Sequence, residues 1–166
     1  MAKIGESIKS KLQESQGRYM DDLCNDMVKH NVTNVNATKT LTPEESGVIV
    51  LGVVGTQQAA GTGFAVKLPT PRRGLWYKFI LAAPAVANNS DAAITVTTTS
   101  DGSSAADLAV GTVMVNGTIT NVVAVVDVLT FVHNKATAGD RAMCVCDGTN
   151  WFFDVVGDAA GSITLA

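Results

Sequence analysis

Leu108-Ala109-Val110-Gly111-Thr112-Val113-Met114-Val115-Asn116-Gly117-Thr118-Ile119-Thr120-Asn121-Val122-Val123-Ala124-Val125-Val126 reads as two extended runs folded back on each other. The hinge is Asn116-Gly117. A two-residue type I′ turn needs positive φ at both central positions, and Asn-Gly supplies this at little steric cost. Val, Thr and Ile are stiff at χ1 and fit a pleated surface better than a helix. The fold class is therefore mainly β.

Outward from the hairpin, the same grammar repeats. Strands are expected at Gly47–Val54, Gly63–Leu68, Leu75–Ala82, Ala92–Thr98, Leu108–Val115, Thr118–Val126, Leu129–His133, Ala142–Cys146, Trp151–Val156 and Ser162–Leu165. Asp101-Gly102, Asp147-Gly148, Gly139-Asp140 and Asn88-Asn89-Ser90-Asp91 punctuate them as turns. Before the first strand, Thr42-Pro43-Glu44-Glu45 carries a cap, a proline at the first helical position and a capping-box glutamate, which predicts a single helical turn. No long amphipathic helix follows residue 47, which argues against a βαβ architecture. The expected fold is an antiparallel β-sandwich or jelly-roll-like domain over residues 41–166.

The first 40 residues differ in composition. Ile4, Ile8 and Leu12 fall four apart, and Met20, Leu23 and Met27 repeat a helical spacing. Gly17 lies between the two sets, where a break or kink is expected. The pattern predicts an amphipathic helix, or two short ones, from about residue 3 to about residue 29, with the polar stretch His30 to Lys39 as a connector. Such a stripe needs a partner surface, either its own β domain or a neighbouring subunit. Residues 1–40 are accordingly expected to form a helical arm and connector. The six apolar positions just named are its expected partner-binding residues.

Composition narrows the function. Of the 166 residues, 16% are charged and 46% hydrophobic, while only 5% are aromatic. A surface so short of charge lacks the repulsion that keeps monomers apart and is expected to be covered in part by other subunits. The net charge of −3 offers no basic stripe for nucleic acid. Arg72-Arg73 is the only adjacent basic pair, and it sits in the turn-like Pro69–Gly74 segment. The uncharged runs Ser46–Val66 and Leu108–Val126 are broken by Gly, Thr, Asn or Gln and alternate like strands, so no membrane helix is expected. Met1–Glu6 has no apolar signal region. Cys24, Cys144 and Cys146 make no disulfide framework, which fits assembly in a reducing cytoplasm.

The residues that carry chemistry do not converge. A catalytic triad needs a base with an orienting acid, and the two histidines, His30 and His133, sit at the end of the arm and at a strand end. Cys144-Val145-Cys146 places two thiols on one side of a strand, where small buried residues are expected; zinc sites need further ligand pairs. Gly61-Thr62-Gly63 lacks the Lys-Ser/Thr of a phosphate loop. Asp140, Asp147, Asp154 and Asp158 match no calcium loop. Asp21-Asp22 and Glu44-Glu45 are sequence neighbours and share no helix face. Trp76-Tyr77 and Trp151-Phe152-Phe153 place one ring of each alternating pair inward, and an exposed partner such as Tyr77 would be free to stack on a sugar. No catalytic residue, metal or cofactor is expected.

Several stretches carry a resemblance: Leu41-Thr42-x-Glu44-x-Ser46-Gly47, Val66-Lys67-Leu68-Pro69, Gly74-Leu75-Trp76-Tyr77-Lys78-Phe79-Ile80, Ala138-Gly139-Asp140-Arg141 and Cys146-Asp147-Gly148-Thr149-Asn150-Trp151-Phe152. Together they resemble a pattern common in small virion structural proteins of marine and cyanobacterial tailed phages. The resemblance covers residues 41 to about 157 and excludes the arm. It departs from the pattern at Phe152-Phe153, where a tyrosine is more usual. It implies a β domain projecting from a capsid, often as a trimer, whose N-terminal segment grips the major capsid protein. The expected function is that of a capsid decoration (cement) protein on the virion surface. The alternative is a tail- or fibre-associated module that binds a host glycan.

Overall fold

A computed structural model describes residues 32–52, 63–82, 93–98 and 109–166. The strands are β1 (Val32–Val35), β2 (Lys39–Thr40), β3 (Gly47–Leu51), β4 (Phe64–Lys67), β5 (Trp76–Leu81), β6 (Ile94–Thr97), β7 (Ala109–Val115), β8 (Thr118–Val126), β9 (Val128–Phe131), β10 (Arg141–Cys146), β11 (Trp151–Gly157) and β12 (Ile163–Leu165), with a 3-10 turn at Pro43–Glu45. They form a seven-stranded sheet in the order β1-β3-β5-β10-β11-β7-β8 and a five-stranded sheet in the order β12-β9-β6-β4-β2. Each of the ten strands expected from the alternation is present. The hinge at Asn116-Gly117 has φ of 50° and 73°, the positive pair that a type I′ turn requires.

The sheets are mixed, which corrects the antiparallel expectation. Among the described strands, β1–β3, β3–β5, β2–β4, β4–β6 and β7–β11 pair in parallel. The reason lies in the chain path. From β1 to β6 the strands alternate between sheets, odd ones in the seven-stranded sheet and even ones in the five-stranded sheet. Parallel neighbours need a long crossover, usually a helix; here a strand of the other sheet serves instead. The stretch expected to be the connector also differs, because from Val32 onward it supplies β1 and β2, and the sheets begin ahead of Leu41. The arm residues Ile4, Ile8, Leu12, Met20, Leu23 and Met27 lie outside the described residues, as do Cys24, His30, Asp21-Asp22 and most of the Gly52–Gly63 loop.

Inward side chains of both sheets form one apolar cluster. Its packing explains the choice of small residues. One row across the seven-stranded sheet runs Gly47, Tyr77, Cys144, Phe153, Gly111. Large and small alternate, so each ring fills the space its neighbours leave. Tyr77 lies against both Phe79 and Trp151, with ring centroids 6.3 and 5.9 Å away. Its hydroxyl donates to the Thr42 carbonyl at 2.8 Å, so the phenol is buried without loss of its hydrogen bond.

The 3-10 turn closes as the sequence predicts. The Glu45 carboxylate accepts from the Thr42 N–H at 3.0 Å and pairs with the Lys39 ammonium. Ser46 Oγ then accepts from the Trp76 N–H at 3.1 Å and donates to the Trp76 carbonyl at 2.8 Å. That pair of bonds fixes the start of β3 against β5.

Candidate interaction face

The outer surface of the seven-stranded sheet is built by the residues that alternate with the core. On β10 the inward Ala142, Cys144 and Cys146 are buried, while Arg141, Met143 and Val145 are exposed. On β11 Trp151, Phe153 and Val155 are buried, and Phe152 and Asp154 face out. The registers set these outward residues in rows. Trp76, Val145, Phe152 and Val110 lie side by side across β5, β10, β11 and β7. The next row carries Val48, Lys78, Met143, Asp154 and Thr112, and the third carries Val50, Ile80, Arg141, Val156, Met114 and Ile119.

This face is unusually apolar for an outer surface. Among the described residues, the large hydrophobic side chains that are exposed are Val32, Met114, Ile119, Met143, Val145 and Phe152, and every one belongs to the seven-stranded sheet. The five-stranded sheet turns out Thr164, Thr130 and Thr95 in one row and Val128, Thr97, Lys67 and Thr40 in another. Singly scattered surface hydrophobics need no explanation, but a contiguous patch on one side marks an interaction surface. Lys78, Arg141 and Asp154 stand within the patch and border a shallow depression of about 180 Å³ with Met143 and Val156. They give an otherwise greasy surface polar points that can fix the orientation of a partner.

The sequence candidates fall elsewhere. Tyr77, expected as an exposed ring, is fully buried. The outward rings are Trp76, half-buried, and Phe152, 46% exposed. Desolvation raises the Tyr77 phenol far above its ordinary range, and burial does the same to the Cys144 thiol, so neither ionises near neutrality. Cys144 and Cys146 are both buried free thiols, as expected. His133 lies just past β9, half-buried, and its Nδ1 has no hydrogen-bond partner among the described residues.

The aspartates are structural or separate. Asp140 is 3% exposed and accepts from the Thr137 N–H at 3.0 Å and the Asp158 N–H at 2.9 Å, which ties the loop before β10 to the end of β11. Asp147 Oδ1 accepts from the Thr149 and Asn150 N–H groups, both at 2.8 Å. Backbone hydrogen bonds from Asn150 and Thr149 hold its pKa below the ordinary carboxylate range. At Glu45, burial pushes the pKa up, but hydrogen bonds from Lys39 and Thr42 outweigh it and the net shift is downward. No group of three or more His, Cys, Asp or Glu side chains gathers for a metal among the described residues. Arg72 and Arg73 are exposed on the turn before β5. No described helix is long and apolar enough to cross a membrane.

The described residues form a mainly β protein of two mixed sheets, with the exposed large apolar side chains on the seven-stranded one. No family model, curated protein or solved structure matches the chain.

Proposed function

We propose that this chain is a virion structural protein, a capsid decoration (cement) protein that binds the major capsid protein and works by adhesion. The observation that carries the reading is the one-sided distribution of exposed apolar side chains, all on the outer face of the seven-stranded sheet. A surface of this kind gains free energy when covered, at roughly 25 cal/mol per Å² of apolar area. The low charge content, 16%, and the phage-like pattern of residues 41 to about 157 support the same reading. The amphipathic arm, with Ile4, Ile8, Leu12, Met20, Leu23 and Met27, supplies a second grip on coat subunits. A shell repeats its sites many times, so modest contacts per copy add through multivalency. In this reading the protein is a homo-oligomer made in the host cytoplasm and resident on the capsid surface, with neither nucleic acid nor membrane as partner.

The test is co-sedimentation with shells stripped of the protein. Wild type binds. A Trp76→Ser/Phe152→Ser double variant, altered on the outer face only, folds normally and binds weakly. Undiminished binding by the double variant contradicts the reading.

A second reading rests on Trp76 and Phe152. They lie two strands apart in one row, about 10 Å by strand spacing, as a platform for sugar rings. That arrangement favours a tail- or fibre-associated glycan-binding module. Saturable binding to a purified host glycan, lost in the same double variant while shell binding stays absent, would select it.

A further inference from the structure

We propose that the free edge of β8 pairs with the same edge of a second copy, antiparallel about a twofold axis, joining two seven-stranded sheets into one. Among the described residues, β8 stands last in its sheet, bonded to β7 on one side only. The other edge strands are short: four residues in β1, two in β2, three in β12. β8 has nine. Proteins guard such edges with lysine, proline, shortness or bulges. Thr118–Val126 contains neither a charged residue nor a proline, and one irregularity confines the guard to one end. Gly111 pairs with Val122 and Ala109 with Val126, so β8 carries its extra residues between 122 and 126. The stretch Thr118–Val122 is left in regular register.

That stretch is self-complementary. Centred on Thr120, an antiparallel pair sets Thr120 opposite its twin, Thr118 opposite Val122, and Ile119 opposite Asn121. No like charges meet, and Thr–Thr pairs across strands are favourable. On the outer side, Ile119 is 63% exposed beside Met114, and pairing makes the apolar faces of the two copies continuous. On the inner side, Thr118 and Thr120 border an open groove of about 430 Å³ with Val113, Val115, Ile163 and Leu165, which the pairing closes from both copies.

The size sets the strength. Five residues span about 17 Å. With the two layers of the edge about 20 Å deep, roughly 700 Å² in all is buried, below the range of permanent dimers. The pair is therefore concentration-dependent in solution and is reinforced where copies are held side by side. This inference does not rest on the decoration reading; the edge pairs whatever the outer face binds.

Sedimentation equilibrium of the full chain over a wide concentration range tests it. Wild type passes from monomer to dimer. Thr120→Lys sets two lysines face to face and weakens the dimer by about tenfold or more, whereas Thr95→Lys, on the outer face of the five-stranded sheet, does not. Hydrogen exchange needs no variant: amide protection across Thr118–Val122 rises with wild-type concentration. A monomer at every concentration, a trimer, a dimer untouched by Thr120→Lys, or exchange at 118–122 that ignores concentration overturns the proposal. Shell binding retained by a monomeric Thr120→Lys protein would leave the decoration reading standing alone.

Discussion

Replacing Gly111 with alanine tests the packing of the seven-stranded sheet at its tightest point. In an ordinary strand, the exchange of Gly for Ala stabilises by roughly 0.5–1 kcal/mol, because glycine gives up more backbone freedom on folding. At Gly111 a Cβ would fall 2.4 Å from the Phe153 carbonyl oxygen and 2.8 Å from the Phe153 Cβ. The obstacle is mainly backbone, held in register by β10 on its far side, so no flexible side chain can swing away. Forcing an extra methyl into such a contact costs typically about 1–3 kcal/mol. Subtracting the entropic gain from the middle of that range leaves a net destabilisation of about 1 kcal/mol, or a midpoint lower by roughly 2–4 °C for a chain of this size. Urea unfolding measures it directly: the midpoint of Gly111→Ala falls while the slope with denaturant stays unchanged. A Gly111→Ala protein as stable as wild type, or more so, would refute the pairing of β7 with β11.

Further predictions concern the thiols, the acid limb and the arm. Cys144 and Cys146 should be silent toward a thiol reagent in native buffer and react at the rate of unfolding, since both thiols are buried out of the reagent's reach and burial also pushes the Cys144 thiol up; prompt native-state labelling of either would contradict the core assignment. Glu45 and Asp147 have folded pKa values below the ordinary carboxylate range, so the stability they contribute is complete above about pH 4 and is lost as pH falls through their lowered values. Thermal midpoints measured from pH 5 to pH 2.5 should drop, and Glu45→Gln should shallow the drop; an identical acid limb in that variant counts against the Lys39–Glu45–Thr42 arrangement. Deleting residues 1–30, which precede β1, should leave a cooperatively folding β domain that no longer binds shells. Full binding by the truncated protein would remove the arm from the mechanism.

Much of this fold is legible in the sequence because two signals act locally. Period-two alternation marks strands such as Arg141–Cys146, where every second residue is buried, and turn chemistry marks Asn116-Gly117 and Asp147-Gly148. Neither signal reports direction. Whether β3 and β5 run parallel depends on β4 crossing to the other sheet between them, a long-range choice that alternation leaves open. β1 and β2 escape notice for a related reason. In Val32-Thr33-Asn34-Val35 only Val35 is buried, so the strand exists because β3 offers it an edge, not because its own residues insist.

The face was harder to read than the fold. Along Trp76–Leu81 one alternating set is Tyr77, Phe79 and Leu81 and the other is Trp76, Lys78 and Ile80; the charge of Lys78 marks the second set as outward, a signal that the expectation of an exposed Tyr77 passed over. The position of Cys144 and Phe153 opposite one another agrees, since of the β5 residues only Tyr77 shares their row. The charged trio Lys78, Arg141 and Asp154 is scattered over three strands in sequence and meets only through register.

The adhesive role is tested most directly by an image of the native particle at a resolution that resolves strands. The account predicts hundreds of copies spread over the shell lattice, with Trp76, Val145 and Phe152 turned onto neighbouring protein. A dozen or fewer copies confined to the tail, or shell-bound copies whose seven-stranded face looks out into solvent, would contradict it.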